Sequence, residues 1–449
     1  MCQMARMKSN VVGLALATAL CATNAQAESD LLGTDDIAQA IVAMSAPVWT
    51  GPRTPAPVDT PRPADASITI RSTTALLTVH AGPGTTPETM GRVMKALEYA
   101  RSQLDVMGWP SPLPDADLGG GPGLDLYLTP TSLPTAAHSD GMAWWTYLDR
   151  ASAFAVMDPE TPDRAIDACV IAAYAEALLL SMDPAEARTW RRATAAWLTW
   201  VLTGRFGCED AVWEQQAEPY RSWVRDGAAE GAGGALLLAY LSARHDGRAS
   251  QFIRDTWELS SQRTWEGDGL RAEPDLWAAI ETSVERSGDR LLDNIEELAV
   301  LRWFVGRGKT ESALIAAVDS DAQVPPMRRL ERLPTRASAA TALRPFGSAY
   351  VVLEGSTWTS SERLRAWMRG EYGVRWSFVA VQLDENGTEL RRIAAPHTGP
   401  TPNAYIPIEL DSRARQLLFV VTNLSSRLPD ADEPDMNERS FEVIVDRAE

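Results

Sequence analysis

A chain of 449 residues is long enough for two or three domains with their own cores, and 45% hydrophobic with 23% charged residues describes a folded protein, not a disordered one. Its formal charge of −18 argues against a nucleic-acid binder, because no basic field would collect phosphates. Lysine occurs only at positions 8, 95 and 309, a bias towards arginine that reads as genomic composition and not as function.

In chain order, Arg6 and Lys8 precede the apolar run VVGLALATALCATN, and AQA ends at Ala27. This is the pattern of a cleaved signal peptide over residues 1–27. The run is shorter than the roughly 20 residues that span a bilayer, so a membrane anchor is the weaker reading. Leu20 stands where a lipobox needs a small residue before Cys21, which disfavours lipidation. Cleavage removes Arg6 and Lys8, moves the formal charge to −20 and leaves no transmembrane segment. The expected location is secreted, periplasmic or cell envelope.

Residues 28–66 hold a short helical candidate, DDIAQAIVAM, and a linker with prolines at 47, 52, 55, 57, 61 and 63 that precludes regular structure. It reads as an extended tether or a strap along the surface. From residue 67 to 343 the pattern is α+β. LLTVH is a strand, and TTPETMGRVMKALEYARSQLDVMG is a helix with a Thr85–Glu88 capping box and one buried face through Met90, Met94, Leu97, Ala100, Leu104 and Met107. Strands follow at 124–128 and 151–158. The glycines before residue 124 lack a phosphate-binding pattern. Helices are expected at 164–181, 184–202, 211–226, 233–245, 248–260, 273–287 and 289–306, with Asp183-Pro184-Ala185-Glu186 as a strong start signal for the second. Residues 310–343 read as a mixed connector. From 344 to 449, AYVVLEG, RWSFVAVQLD, TELRRIA, AYIPIEL, RQLLFVVTNLS and FEVIVDR alternate and are separated by turns, predicting a small all-β, sandwich-like domain.

Chemistry-bearing residues are sparse. The four histidines, His80, His138, His245 and His397, have no neighbours at metal-ligand spacing, and neither HExxH nor GxSxG occurs. His245 reads as an exposed residue ending a helix, and His80 as a residue at a strand end. Trp144 and Trp145 either line a ligand surface or plug a helix–sheet junction. Cys169 and Cys208, the two cysteines left after cleavage, read first as a disulfide worth ~2–4 kcal/mol, with two separately buried thiols as the other reading.

The pieces LLTVHA, TPETMGRVMKALEYARSQLDVMGWPSPLP, GLDLYLTP, CVIAAYAEALLL and TWRRATAAWLTW, over roughly Thr73–Leu202, are similar in layout to bacterial secreted gluzincin-like metalloproteases, with a looser likeness from Pro345 onward. That resemblance implies a zincin-like region with a large helical part. It also implies an HExxH helix followed by a helix carrying the third zinc ligand in a W-x-E-x-x-A-x-W pattern. On this chain the ligand and base positions fall on Ala173, Tyr174, Ala177 and Arg192. Alanine methyls donate no lone pair to zinc, Tyr174 is a poor base near neutral pH, and Arg192 places a fixed positive charge where the metal would sit. The resemblance therefore implies a site that has lost its zinc, with no cofactor.

Two further readings stay open for the same segment. Glu176 leans towards the same crevice, and an Arg192–Glu176 or Arg192–Asp ion pair could bridge the helices. Alternatively, the alanines simply let the two helices approach closely, with Trp190, Trp197 and Trp200 filling the flanks. Glu176, Trp144, Trp145, His80 and His138 are the candidate cleft residues. The resulting expectation is an exported, catalytically inactive metalloprotease homologue that binds an unidentified protein, peptide or envelope component. Its rivals are an active metallopeptidase with non-standard ligands, such as His80, His138 or an acidic residue from the helical region, and a structural component of the envelope.

Overall fold

The computed structural model describes residues 61–448 except 65, 116, 132–134, 141–149, 209–210, 224–230, 246–249, 262–273, 308–321, 356–357, 359–361, 399–401 and 426–437. The expected signal peptide and short helix, most of the Pro-rich linker and the Trp144–Trp145 pair lie outside the described residues. All described residues fall in one compact unit that runs from Arg53 to Glu449.

The architecture is α+β: a larger helical region built on one sheet, followed by a small β-sandwich-like region. The first sheet contains β1 (Ile68–Arg71), β2 (Leu77–Ala81), β3 (Leu124–Leu128), β4 (Thr135–Ser139) and β5 (Ala153–Met157), in the order β1-β2-β3-β5-β4. β2, β3 and β5 are parallel, while β1 and β4 run antiparallel at the edges. Alternation decides its two faces. Leu77, Val79, Leu124, Leu126, Leu128, Ala155 and Met157 enter the main core with α1 (Pro87–Val106) and α2 (Asp163–Met182). The opposite face carries His80, Asp125, Tyr127 and Phe154.

α1 starts one residue later than the Thr85 capping box predicts. The Thr86 side chain accepts from Thr89 N–H at 3.1 Å, and Pro87 occupies the first turn. α2 is long and apolar enough to cross a membrane by length and composition, but 94% of its apolar window is buried inside the fold. It is the central helix, apolar on all sides because α1, α3 (Arg188–Thr203), β4 and β5 enclose it. α3 begins at Arg188 and not at Pro184. Asp183 does accept from Ala185 and Glu186 N–H groups, at 3.1 and 3.2 Å. However, the buried Glu186 carboxylate bonds Ala187 N–H at 2.8 Å and reaches Leu276 N–H at 2.5 Å. That second bond ties residues 184–187 to Leu276, the first residue of a later helix, and keeps them out of the helix.

The remaining helices are α4 (Ala211–Ala217), α5 (Ala235–His245), α6 (Gln251–Ser260), α7 (Leu276–Arg286) and α8 (Leu291–Arg302). α4 is shorter than the predicted 211–226, since Glu218–Tyr220 turn away towards the sandwich, where Pro219 and Tyr220 carbonyls bond Ser348 and Arg344.

The sandwich pairs a five-stranded sheet, β11-β10-β13-β8-β6, with a four-stranded sheet, β12-β9-β14-β7. Their ranges are β6 (Arg328–Leu330), β7 (Thr335–Ser338), β8 (Ser348–Glu354), β9 (Arg363–Gly370), β10 (Trp376–Leu383), β11 (Glu389–Ala394), β12 (Asn403–Glu409), β13 (Gln416–Asn423) and β14 (Phe441–Arg447). β6 and β7 precede residue 344, so sandwich strands arise within the segment read as a connector. The central strands β8, β10 and β13 are near-continuous apolar runs because both faces are covered. Val351, Phe378 and Phe419 face the other sheet, while Val352, Val379, Val381, Leu418 and Val420 join the helical core. Polar contacts seal this junction: Tyr350 donates to Ala299 O at 2.7 Å, and Ser377 donates to Glu296 at 2.5 Å. The other sheet alternates, eight residues of β9 reading outward–inward with Leu364, Ala366 and Met368 inside.

Candidate functional site

The helix pair that carries the resemblance is closed. Ala173 and Ala177 have no solvent exposure and Tyr174 is 1% exposed, all within the main hydrophobic core. The close approach is local chemistry. Small residues at 172, 173, 177, 193, 195 and 196 let α2 and α3 pack tightly, and Trp190 and Trp197 fill the space beside them. Gly234 continues the same economy of volume, since a Cβ there would press on Ala193 and Trp190. Burial pushes the Tyr174 phenol up to about 12, against the opposing hydrogen bond from Ser111. A phenol so placed holds its proton throughout the physiological range.

Cys169 and Cys208 are joined as a disulfide, closing residues 169–208 around this hairpin. Arg192 is half-buried. Glu176 is 4% exposed and does not pair with Arg192. One of its carboxylate oxygens accepts from Ala137 N–H of edge strand β4 at 3.1 Å, while Oε1 has no hydrogen-bond partner. The carboxylate thus caps the backbone of the sheet edge, so the Arg192–Glu176 form of the predicted ion pair is not made.

The second candidate group lies on the opposite face of the first sheet. His80 of β2 stacks on Tyr127 of β3 with centroids 4.5 Å apart, and its Nε2 lies 2.7 Å from Asp125. His138 of β4 lies against Phe154 of β5 at 5.4 Å. Tyr127 and Phe154 stand between the two histidines, which are three strand spacings apart, or about 14 Å. They share a face but do not converge.

What does converge there is a set that sequence spacing did not reveal. Arg62, from the end of the Pro-rich strap, inserts its guanidinium among Asp115, Asp125 and Asp140. Nη2 reaches Asp115 at 2.6 Å and Asp140 at 2.8 Å, Nε reaches the other Asp140 oxygen at 2.8 Å, and Nη1 bonds Asp125. The guanidinium also lies 5.1 Å from the Phe154 ring centroid. Asp115 and Asp125 have no exposed side-chain surface, Asp140 has 3% and Arg62 has 15%. Ser152 adds a hydrogen bond to Asp140 at 3.1 Å. Gly119 explains part of the glycine-rich stretch: a Cβ there would overlap the Asp125 carboxylate.

Electrostatics divide these acids. Burial pushes Asp115 up to about 6, with Arg62 opposing and Asp125 reinforcing the rise. For Asp125, burial is outweighed by hydrogen bonds from His80 and Arg62, which hold its carboxyl below the usual range. Burial works against the Arg62 charge, but Asp140, Tyr127 and Asp125 together raise its pKa above the usual value. The arrangement is a satisfied cation-in-acid latch that fixes the strap to the sheet. Ala66, two residues before β1, adds an apolar contact to the same face.

Among the described residues, no three His, Cys, Asp or Glu side chains gather as a metal-ligand set. His245 ends α5 and stacks on Phe252 at 4.5 Å, while His397 bonds Glu296 at 3.0 Å across the junction with the sandwich. Each of these two histidines has a structural setting.

No family model matches the sequence, and no curated protein matches it. Among solved structures, the chain is similar to the pre-peptidase C-terminal domain of collagenase from Bacillus anthracis, at 11% identity over 27% of this chain and 96% of that one, with a TM-score of 0.19. It is also similar to CorA, a surface-associated copper-binding protein of Methylomicrobium album BG8, at 10% identity over 27% and 97% of the two chains, TM-score 0.19. A third similarity, to tailspike protein 4 of bacteriophage CBA120, has 12% identity over 26% and 18%, TM-score 0.19.

Proposed function

We propose that the chain is an exported, catalytically inactive relative of gluzincin-like metalloproteases that acts by binding in the secreted, periplasmic or envelope space. The observation that carries this reading is the sealed hairpin. Ala173, Tyr174 and Ala177, the positions the resemblance assigns to two zinc ligands and the base, are enclosed in apolar core. Two methyl groups offer zinc no lone pairs, and the Tyr174 phenol holds its proton to about pH 12. The disulfide favours an oxidising compartment, in keeping with export. The separation of His80 from His138 weighs against the rival in which they serve as replacement ligands.

The test is direct. The protein is purified without chelator, its zinc is counted by mass spectrometry, and hydrolysis of unfolded casein is followed. The expected result is far less than one zinc per chain and no cleavage. Stoichiometric zinc with cleavage that is lost on replacing His80 or His138 would refute it. Export is tested separately by fractionating intact cells.

A further inference from the structure

The strap is held to the first sheet by one side chain. Its first backbone tie is Ser67 N–H to Ala81 O at 3.0 Å, at the entry to β1. Among the described residues before Ser67, every hydrogen bond and ion pair to the sheet comes from Arg62, and Ala66 adds an apolar contact. Pro61 and Ala64, on either side of the clamp, are exposed. A strand ladder after Ser67 and a single clamp before it make Ser67 the hinge about which this segment can open locally.

Three carboxylates share that one guanidinium. The titratable groups facing it are Asp115 from the segment between α1 and β3, Asp125 and Tyr127 of β3, and Asp140 just after β4. His80 of β2 stands behind Asp125, with Nε2 2.7 Å from its other oxygen, and His138 of β4 lies beyond the Phe154 ring. The walls that bury these acids do not belong to the strap. Asp115 accepts from Asp117 N–H at 3.1 Å, Gly119 lies directly against Asp125, and Ser152 donates to Asp140 at 3.1 Å. Withdrawing Arg62 therefore removes a cation and leaves the carboxylates walled and facing one another. Asp115 and Asp125 then bind a proton more tightly with the strap open than with it closed. The open form takes up protons, so acid favours it. With Arg62 seated, burial already holds Asp115 up at about 6, so its share of the effect acts above that pH. Asp125, held below the usual range by His80 and Arg62, adds its share in more acidic solution.

We propose that the strap is an acid-released cover: Arg62 clamps it in neutral solution, and acidification swings it about Ser67 without global unfolding. Release uncovers the carboxylate pocket and the rings beside it. Those rings are closed off while the clamp holds, Tyr127 being 5% and Phe154 1% exposed. The guanidinium lies 3.5 Å from the Tyr127 hydroxyl and 5.1 Å from the Phe154 centroid, so its departure opens both. For each proton taken up, the opening constant rises by up to about tenfold per pH unit. The inference goes beyond the reading of the chain as an inactive protease relative and does not depend on it.

The test is hydroxyl-radical footprinting of the intact protein at pH 8 and pH 5, read by mass spectrometry at single residues. Tyr372, 72% exposed, reports the radical dose, while Phe378 and Phe419, buried in the sandwich, report global unfolding. Labelling of Tyr127 and Phe154 should rise at least about threefold from pH 8 to pH 5, with Phe378 and Phe419 unchanged. Arg62→Gln should label both rings strongly at either pH. Asp115→Asn, which fixes that acid in its neutral form, should raise labelling at pH 8 and shrink the pH response to less than about half. The proposal is overturned if native labelling is the same at both pH values, or if Arg62→Gln labels no more than the native protein. It is equally overturned if Phe378 and Phe419 rise in step with Tyr127 and Phe154, or if Asp115→Asn keeps the full response.

Discussion

Replacing Arg62 with alanine tests the strap latch most sharply. The substitution leaves Asp115, Asp125 and Asp140 facing one another, with at most 3% of any side chain exposed. Removing one partner of a buried ion pair typically costs about 3–5 kcal/mol. Arg62 retains 15% exposure, so water enters the vacated space and the lower end, about 3 kcal/mol, is expected at pH 8. The loss must also depend on pH. Asp115 already titrates near 6 with Arg62 present, and without that cation the acids bind protons more tightly still. The folded variant then holds more protons than its unfolded chain through the range above 6, so its stability falls as pH rises. At pH 5 protonation relieves the repulsion and the loss should shrink to about half its value at pH 8. Urea unfolding followed by tryptophan fluorescence at both pH values, with Arg62→Lys as an intermediate case, measures this. A loss below about 1 kcal/mol at pH 8, or an equal loss at both pH values, would refute the latch.

Other predictions address the hairpin and its supports. Cys169→Ala/Cys208→Ala should lower stability by ~2–4 kcal/mol in urea, and reductant should shift the native midpoint but not that of the variant. Ala173→His/Tyr174→Glu/Ala177→His should not acquire zinc on titration, because it adds bulk and polar groups to a packed core; a loss of more than ~3 kcal/mol is expected, and a well-folded variant binding one zinc would contradict the sealed geometry. Burial pushes Glu186 up to about 7, so the native state binds its proton more tightly and this group makes stability decline as pH rises from about 4.5 to 7. Glu186→Gln should flatten that decline in urea titrations across the same range; an unchanged slope would assign the pH dependence elsewhere.

Much of the fold was legible because its burial is strongly patterned. LTVHA and LDLYL are apolar at alternate positions, and the enclosed α2 is apolar at nearly every one. β4 escaped notice because TAAHS has neither branched nor large apolar residues, and its strand character comes from pairing with β5. β9 is the instructive miss. RLRAWMRG has a clear period of two, but arginine at alternate positions and a small apolar set left it out of the strands named from the sequence. The latch was illegible for another reason: residues 62, 115, 125 and 140 meet only through tertiary structure, and no local spacing announces them. Asp125 was the available signal, a carboxylate inside LDLYL where a strand buried on both faces would otherwise be apolar.

That strand also explains why a sealed hairpin and a polar latch coexist in one small sheet. Leu124, Leu126 and Leu128 of β3 face α1 and α2, so the apolar residues on one side complete the core around Ala173 and Tyr174. Asp125 and Tyr127 necessarily face the other way, where His80, Phe154 and the strap enclose them. A one-residue slip of β3 would put Asp125 into the core and the leucines among the aspartates, so the latch specifies register as well as strap position. Arg62 therefore ties the end of the Pro-rich linker to a strand whose apolar face joins the core around the α2–α3 hairpin. Loosening the latch should disturb β3 before it disturbs the sandwich, whose own core between its two sheets does not include β3. Hydrogen exchange in Arg62→Ala should accordingly rise first in Leu124–Leu128 and its partner Leu77–Ala81, with β10 and β13 still protected. Simultaneous loss of protection in both regions would instead make the latch part of one cooperative unit with the sandwich.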